Sequence, residues 1–364
     1  MHLFLSGSIN QVSGNLIPAS LSMNLALSFD FSGEAEYFPD SQNFSHFNYF
    51  VSITVMIKKN VPMILLALIL LNGCSIRKMA LTGFTSTLSS QTGDVFTSDD
   101  DPELIGDALP FTIKLYESLA RKDSTNTELL LATGKLFCLY AQGYVLFEAD
   151  TLADSLKTAK KAAGKRAKKL FLRGKDYILK GLDLRHPGIY NALSGRSSDS
   201  ALAITGINDT AYLYWGSVAW TGAILSDRSD LALAMSLKKA VSLMQKVFSL
   251  DSSYSDGAVY EFMAIYYASA PKAMGGDVEK SEEFFEKAIE LSGEKKASPY
   301  VNRASVLSLK KSDSGGFSDF LQKAISIKTP SQSPLRLLNT IYQQKAAWML
   351  ANKDRFFPAE LTDQ

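Results

Sequence analysis

Residues able to carry chemistry are few. Among 364 residues there are three histidines and two cysteines. His186 stands in Leu184-Arg185-His186-Pro187-Gly188, where Pro and Gly stop a helix, and it reads as a turn residue, not a general base. Ser-His or Cys-His catalysis and His/Cys metal sites have almost nothing to draw on. Asp99-Asp100-Asp101 brings three carboxylates together, but a calcium loop needs more ligands at alternating spacing. Asp101 followed by Pro102 is instead the capped start of a helix. Two carboxylate pairs, Glu148 with Asp150 and Asp256 with Glu261, could do general acid–base work only by converging in a cleft. Helix ends and surface account for both. The sequence therefore predicts a chain that is not an enzyme and uses no metal and no cofactor.

Cys74 is the side chain whose surroundings prescribe a reaction. Lys58-Lys59 precede an unbroken apolar run, Met63 to Leu71, and Leu71-Asn72-Gly73-Cys74 follows as a small-residue exit. The run falls short of the roughly 20 apolar residues that span a bilayer, and has the build of an export signal. The exit resembles the lipobox of bacterial lipoproteins. That resemblance implies that residues 56–73 are a signal peptide and that Cys74 becomes the acylated first residue of the mature chain. Each buried CH₂ of such an anchor contributes about 0.8 kcal/mol of membrane affinity. Residues 1–55 contain no Lys or Arg and no sustained period, so they are expected to be an unstructured leader, with translation beginning at Met56. Residues 74–98, rich in Ser, Thr and Gly, read as a flexible tether. With Cys74 acylated, Cys138 has no partner for a disulfide, and its apolar helical setting predicts a buried, inert thiol. A formal net charge of +1 makes no case for nucleic acid.

From Asp99 to Gln364 the periodicity is that of helix upon helix. Leu104, Ala108, Phe111, Leu115 and Leu119 recur at steps of three and four and predict one apolar face. Asp123-Ser124-Thr125-Asn126 ends that helix and caps the next. Leu130-x2-Thr133-Gly134-x2-Phe137 then returns as Tyr212-x2-Trp215-Gly216-x2-Ala219, Tyr260-x2-Met263-Ala264-x2-Tyr267 and Tyr300-x2-Arg303-Ala304-x2-Leu307. Second helices follow with Ala240-x3-Met244-x2-Val247, Ser281-x3-Phe285-x2-Ala288 and Phe317-x3-Leu321-x2-Ala324. In each first helix a small residue between large ones marks where helices touch. The reading is an all-α domain over residues 99–364, made of about four degenerate tetratricopeptide-like (TPR-like) helix pairs in an α-solenoid, with insertions at Lys157–Gly206 and Ser226–Leu237. The nine basic residues from Lys157 to Lys175 share a helix with the stripe Ala163, Ala167, Leu170, Gly174, Ile178 and Gly181, so most of them read as a solvated face.

Motifs along the whole domain resemble the T component of tripartite ATP-independent periplasmic (TRAP) transporters, the TatT family. They are Asp100-Asp101-Pro102-Glu103-Leu104 with Asp107-Ala108-Leu109-Pro110-Phe111, Phe147-Glu148-Ala149-Asp150, and Leu184-Arg185-His186-Pro187-Gly188. Tyr214-Trp215-Gly216 with Trp220, Glu261-Phe262-Met263-Ala264-Ile265-Tyr266-Tyr267, Gly275-Gly276-Asp277 with Phe285-Glu286-Lys287-Ala288, and Phe357-Pro358-Ala359-Glu360-Leu361 complete the set. The resemblance implies a periplasmic lipoprotein that assembles as a homotrimer and has a hydrophobic pore or cleft in each subunit. It also implies a partnership with the transporter's extracytoplasmic solute-binding protein and the handing on of a small organic ligand. Helical geometry nominates as contact residues the first-helix positions Leu213, Ser217, Trp220, Glu261, Ile265 and Ala268, with Trp220 foremost as an aromatic anchor. The alternative reading is a general TPR lipoprotein scaffold for cell-envelope assembly, needing no small ligand.

Overall fold

The computed structural model describes residues 95–358, apart from 196 and 197. The leader, the signal peptide, Cys74 and most of the tether lie outside these residues. Residues 95–97, the end of the stretch read as tether, are helical. Among the described residues every regular element is a helix.

Helix α1, Pro102–Lys122, starts where Asp101 accepts a hydrogen bond from the Leu104 amide at 3.0 Å, with Pro102 in its first turn. Its buried face is Ile105, Leu109, Ile113, Tyr116 and Ala120, whereas Leu104, Phe111 and Leu115 are exposed, Phe111 by 75%. This corrects the face expected from the sequence, of which Leu119 alone is buried. The helix carries two apolar stripes about one residue apart and, lying at the end of the array, has only α2 as a major neighbour. One stripe is therefore covered and the other is left in solvent.

Helix α2, Thr127–Tyr140, is capped by the Asn126 side chain, which accepts from the Leu129 amide. It continues through a π-helical turn, Ala141–Leu146, into α3, Phe147–Thr151. Its principal partner is α4, Lys157–Arg185, which the sequence reading treated as an insertion. It is instead the central helix, packed between α2 on one side and α7, Thr210–Ser226, on the other. The stripe Ala167, Gly174, Ile178 and Gly181 is buried, and Lys161, Lys165 and Lys169 face solvent. Glycines set the helix separations: a Cβ on Gly134 would stand 2.7 Å from the Gly174 carbonyl oxygen, and one on Gly164 2.5 Å from that of Ser226. The backbones are in contact there.

Beyond two short helices, α5 (Ile189–Ser194) and α6 (Ser198–Leu202), and after α7 and the short α8 (Leu231–Ala234), comes α9, Leu237–Leu250. Ala240, Met244 and Val247 of α9 are fully buried. Helix α10, Tyr254–Ser269, packs on α11, Val278–Leu291, where the Ser281 hydroxyl donates to the Ala264 carbonyl at 2.8 Å. Helix α12, Ser298–Asn302, runs into a second π-helical turn, Arg303–Ser308, and both pack on α13, Ser314–Ser326. Phe285, Ala288, Phe317, Leu321 and Ala324 are buried to within 1%, as the repeated spacing predicts. Helix α14, Arg336–Ala351, then brings the end of the chain back to its beginning. Arg336 pairs with Asp100, Lys345 with Asp150 at 3.2 Å, and Arg355 with Asp154 at 2.6 Å and with the Leu152 carbonyl.

Candidate functional site

Because α14 closes back on the N-terminal helices, several helices share one inward side. On a helix, positions three and four apart lie on one face. In α2 and its π turn that face is Lys135, Leu139 and Leu146, with Gly143, on which a Cβ would stand 3.6 Å from the Ile341 side chain of α14. In α7 it runs from Tyr214 through Val218 to Leu225, and in α12 and its π turn it is Ser298, Asn302, Ser305 and Leu309. In α14 it is Tyr342, Lys345 and Met349. The late members of these stripes, Leu146, Leu225, Ser305, Leu309, Lys345 and Met349, line one cavity of about 420 Å³, walled also by Trp348, Phe356 and the Arg355–Asp154 pair. Both π turns contribute to it. Single-turn π insertions often mark functional sites, because the extra residue re-aims the side chains that follow.

The early members of the same stripes form a polar station one to three turns away. Glu261, on α10, accepts the Asn302 amide at 2.6 Å on one oxygen and the Ser298 hydroxyl at 2.9 Å on the other. Burial pushes its carboxyl above the ordinary range, although both hydrogen bonds and nearby Lys296 work the other way. Tyr214, on α7, and Tyr342, on α14, both feel the charge of Glu261, and the Tyr342 hydroxyl hydrogen-bonds with Asn302. Burial raises both phenols well above their usual value, and both side chains are nonetheless half-buried, not sealed. Tyr254 lies against Tyr214 at 5.2 Å between ring centroids, and Trp215 meets Tyr214 edge-on at 5.6 Å. The backbone below Tyr254 is held in a left-handed turn at Ser255, Asp256 and Gly257 (φ 52°, 49° and 86°), where the buried Lys296 ammonium donates to the Ser255 and Asp256 carbonyls.

The six nominated contact residues divide unevenly. Glu261 is in the station. Leu213 is fully buried in the core, and Ala268 is 2% exposed. The fully buried Ser217 donates its hydroxyl to the Ala240 carbonyl at 2.7 Å, tying α7 to α9. Trp220 is 7% exposed and donates its indole N–H to the Ser236 hydroxyl at 2.7 Å, so it braces the chain ahead of α9. Ile265 packs on the cluster of Ala264, Phe285 and Leu307. Sequence reasoning missed Lys135, Tyr214, Asn302 and Tyr342. The Ser298-x3-Asn302-x2-Ser305 spacing was a readable polar stripe on an otherwise apolar helix, but Tyr342 offered no such signal. The Asp256 carboxylate is largely exposed and Glu261 points inward, so that pair does not converge. His186 ends α4 and hydrogen-bonds Asp209 at 2.8 Å, beside the Arg185–Asp209 ion pair that fixes the turn. Cys138 is buried, and burial pushes its thiol far above the usual range. Among the described residues no three His, Cys, Asp or Glu side chains are grouped to hold a metal ion.

Among the described residues every element is thus helical, and the aromatic and polar side that several helices share is half-exposed. The chain belongs to the TRAP transporter T-component family, which it matches over residues 98–357. It is also 28% identical over 302 residues to a protein of Treponema pallidum (strain Nichols) described as an uncharacterized protein, a match that covers 78% of this chain and 93% of that one. Family membership associates the chain with a TRAP-type transport system and with the cell envelope.

Proposed function

We propose that this T component is a periplasmic lipoprotein, anchored through acylated Cys74, that engages the extracytoplasmic solute-binding protein of a TRAP system and passes a small organic ligand along its inward face. In this reading the helices are TPR-like pairs whose first members form the concave side, and three copies assemble as a homotrimer. The observation that carries it is the inward stripe system: half-exposed Tyr214, Glu261 and Tyr342 at one level and a cavity of about 420 Å³ at another, on the same helix faces. A volume of that size suits a small organic molecule. The mixture of tyrosine faces and a few fixed polar groups suits a ligand with an apolar body.

The test is a gentle-detergent pull-down of the native, membrane-bound protein, with identification of what comes with it. Near-equal recovery of a TRAP-type solute-binding protein is the expected result. Recovery of envelope-assembly factors without any solute-binding protein would replace this reading with the scaffold.

A further inference from the structure

From Ser155 to Lys175 the chain carries nine lysines and arginines and no Asp or Glu. Four of these cations are paired within the fold. Lys160 meets Asp154 at 2.7 Å, Lys168 meets Asp227 at 2.5 Å, Arg173 meets Glu117 at 2.5 Å, and Lys175 meets Asp176 at 3.4 Å. Arg166 lies over the Tyr140 ring and donates to its hydroxyl at 3.1 Å. The remaining four, Lys157, Lys161, Lys165 and Lys169, are different: all are exposed, or face solvent on α4, and none has an ion pair among the described residues. They stand four residues apart throughout, which makes them one row, roughly 18 Å long, on the exposed face of α4. Like charges at that spacing repel, so folding gains nothing from the row. An interleaved carboxylate would have removed the repulsion, as Glu290 does for Lys287 on α11.

The row lies at the end of the fold where the chain enters it. A Cβ on Gly106, in the first turns of α1, would stand 2.7 Å from the Tyr144 ring, Tyr144 stacks on Tyr140 at 5.9 Å between centroids, and Tyr140 meets Arg166. Leu156, next to Lys157, is 48% exposed and adds an aliphatic tip. Between Cys74 and Val95 even a fully extended chain reaches only roughly 70 Å. A domain tethered within that distance of a bilayer meets its surface at an effective concentration near millimolar. Resting on the reading of Cys74 as the acylated anchor, we infer that the row Lys157, Lys161, Lys165 and Lys169 is a docking face for anionic phospholipid headgroups, which lays this end of the domain on the membrane. The headgroup phosphates supply the counter-charge that the chain leaves off the row and relieve its repulsion. Lysine fits that task, because flexible stems with compact, hydrated ammonium groups follow a fluid surface without needing fixed bidentate geometry. Each lysine close to such a surface strengthens the contact about fivefold, so four suffice to orient a tethered domain and are too few to recruit a free one.

The experiment uses the lipidated protein carrying Ala162→Cys, purified from membranes and reconstituted into vesicles of phosphatidylcholine, alone or in a two-to-one mixture with phosphatidylglycerol. Ala162 is exposed between Lys161 and Lys165, and with Cys74 acylated and Cys138 buried the new thiol is the one that a fluorophore reaches. Lipids with a nitroxide on the headgroup then report proximity by quenching. Quenching at least about fivefold stronger with phosphatidylglycerol than without it is expected, and high salt should erase the difference. Lys157→Gln, Lys161→Gln, Lys165→Gln and Lys169→Gln combined remove the difference, whereas Arg at the same four positions keeps it. The Gln variant should melt no lower than the parent, because its repulsive pairs are gone. Equal quenching on the two lipids, or a difference that survives the four Gln changes, would overturn the inference. Shielding of the probe by added solute-binding protein and not by lipid would overturn it in favour of a protein contact. Mass spectrometry of the mature N-terminus separates the anchor from the row: acyl chains on Cys74 with an unmoved probe would sink the row alone, and their absence would remove both, while the pull-down still reported on the partner.

Discussion

Two regions of this molecule use the same residue types to opposite ends. In the seam between α2 and α4, small residues remove all space. Gly134 and Gly174 bring backbones into contact, Cys138 is sealed, and where α1 meets α4 the buried Glu117 carboxylate is closed off by Lys114 at 2.5 Å, Arg173 at 2.5 Å and the Tyr177 hydroxyl. On the inward side, large aromatic residues preserve space. Tyr214, Tyr342 and Glu261 all keep accessible surface there. The difference shows that burial alone does not mark the core of a helical array. What distinguishes the two regions is whether their groups keep accessible surface: Cys138 and Glu117 are sealed, whereas Tyr214, Glu261 and Tyr342 are half-buried.

The tight packing on both sides of α4, against α2 and against α7, should break first and hardest. Phe171→Ala, which empties a side chain packed on Gly222, is expected to cost about 3–5 kcal/mol in urea unfolding. A loss under about 1 kcal/mol would mean that this contact is not tight. Gly134→Ala should come next, at about 1–3 kcal/mol, because its methyl would meet the Gly174 carbonyl and Ile178, and this clash outweighs the roughly 1 kcal/mol of helix propensity that Ala gains over Gly.

The two interior glutamates sharpen the comparison through pH. For Glu117 burial alone would raise the carboxyl, but hydrogen bonds from Lys114 and Arg173 outweigh it and hold the group below the ordinary value. A depressed carboxyl stabilises the fold above its unfolded pKa and loses that contribution as pH falls through the folded value. Glu117→Gln should therefore cost about 1–3 kcal/mol at pH 7 and progressively less as the solution is acidified toward pH 3. Glu261 has the opposite sign. Its carboxyl is raised, so the folded state binds more protons and its contribution falls as pH rises from the unfolded value through the folded one. Glu261→Gln should shift stability at pH 7 by less than about 1 kcal/mol, and any gain should vanish below the unfolded carboxyl pKa of about 4.3. Melts of both variants at pH 3, 5 and 7 check the pair, and parallel behaviour would erase the distinction. A comparably small effect belongs to Tyr342→Phe, which removes a hydroxyl that hydrogen-bonds with Asn302 and should cost about 1 kcal/mol in the same melts.

Most of what makes the seam was legible in the sequence. Asp101 with Pro102 and Asn126 gave the helix starts, and the recurring small residue at Gly134, Gly216, Ala264 and Ala304 falls where helices meet, because close approach demands a missing side chain. Periodicity failed where a helix has more apolar surface than neighbours. In α1 the stripe through Leu104, Phe111 and Leu115 is as regular as the buried one, and only the end position of the helix decides between them. It failed again for the basic helix α4, whose charges disguised a central core element. The inward wall was mostly illegible. It depends on α14 returning to the first helices, which brings Tyr342 to Tyr214, positions 128 residues apart with no shared local pattern. Trp220 carried the expectation of contact because of its size, but size equally suits a brace, and the Ser236 hydroxyl makes it one. Glu261 alone among the nominated residues faces the station, being a carboxylate in an otherwise apolar helix.

The central claim, that the inward side is open while the seam is closed, can be tested with the native thiol as an internal standard. In a chain carrying Cys74→Ser, Cys138 reports the seam, and a cysteine introduced as Ser305→Cys reports the inward side beside the cavity. Labelling of the folded protein by a small maleimide, followed by mass spectrometry, should modify the introduced position within minutes and leave Cys138 unmodified until denaturant is added. Protection of both thiols alike in the folded state would contradict the account, because the inward stripe would then be core and no path for a ligand would remain.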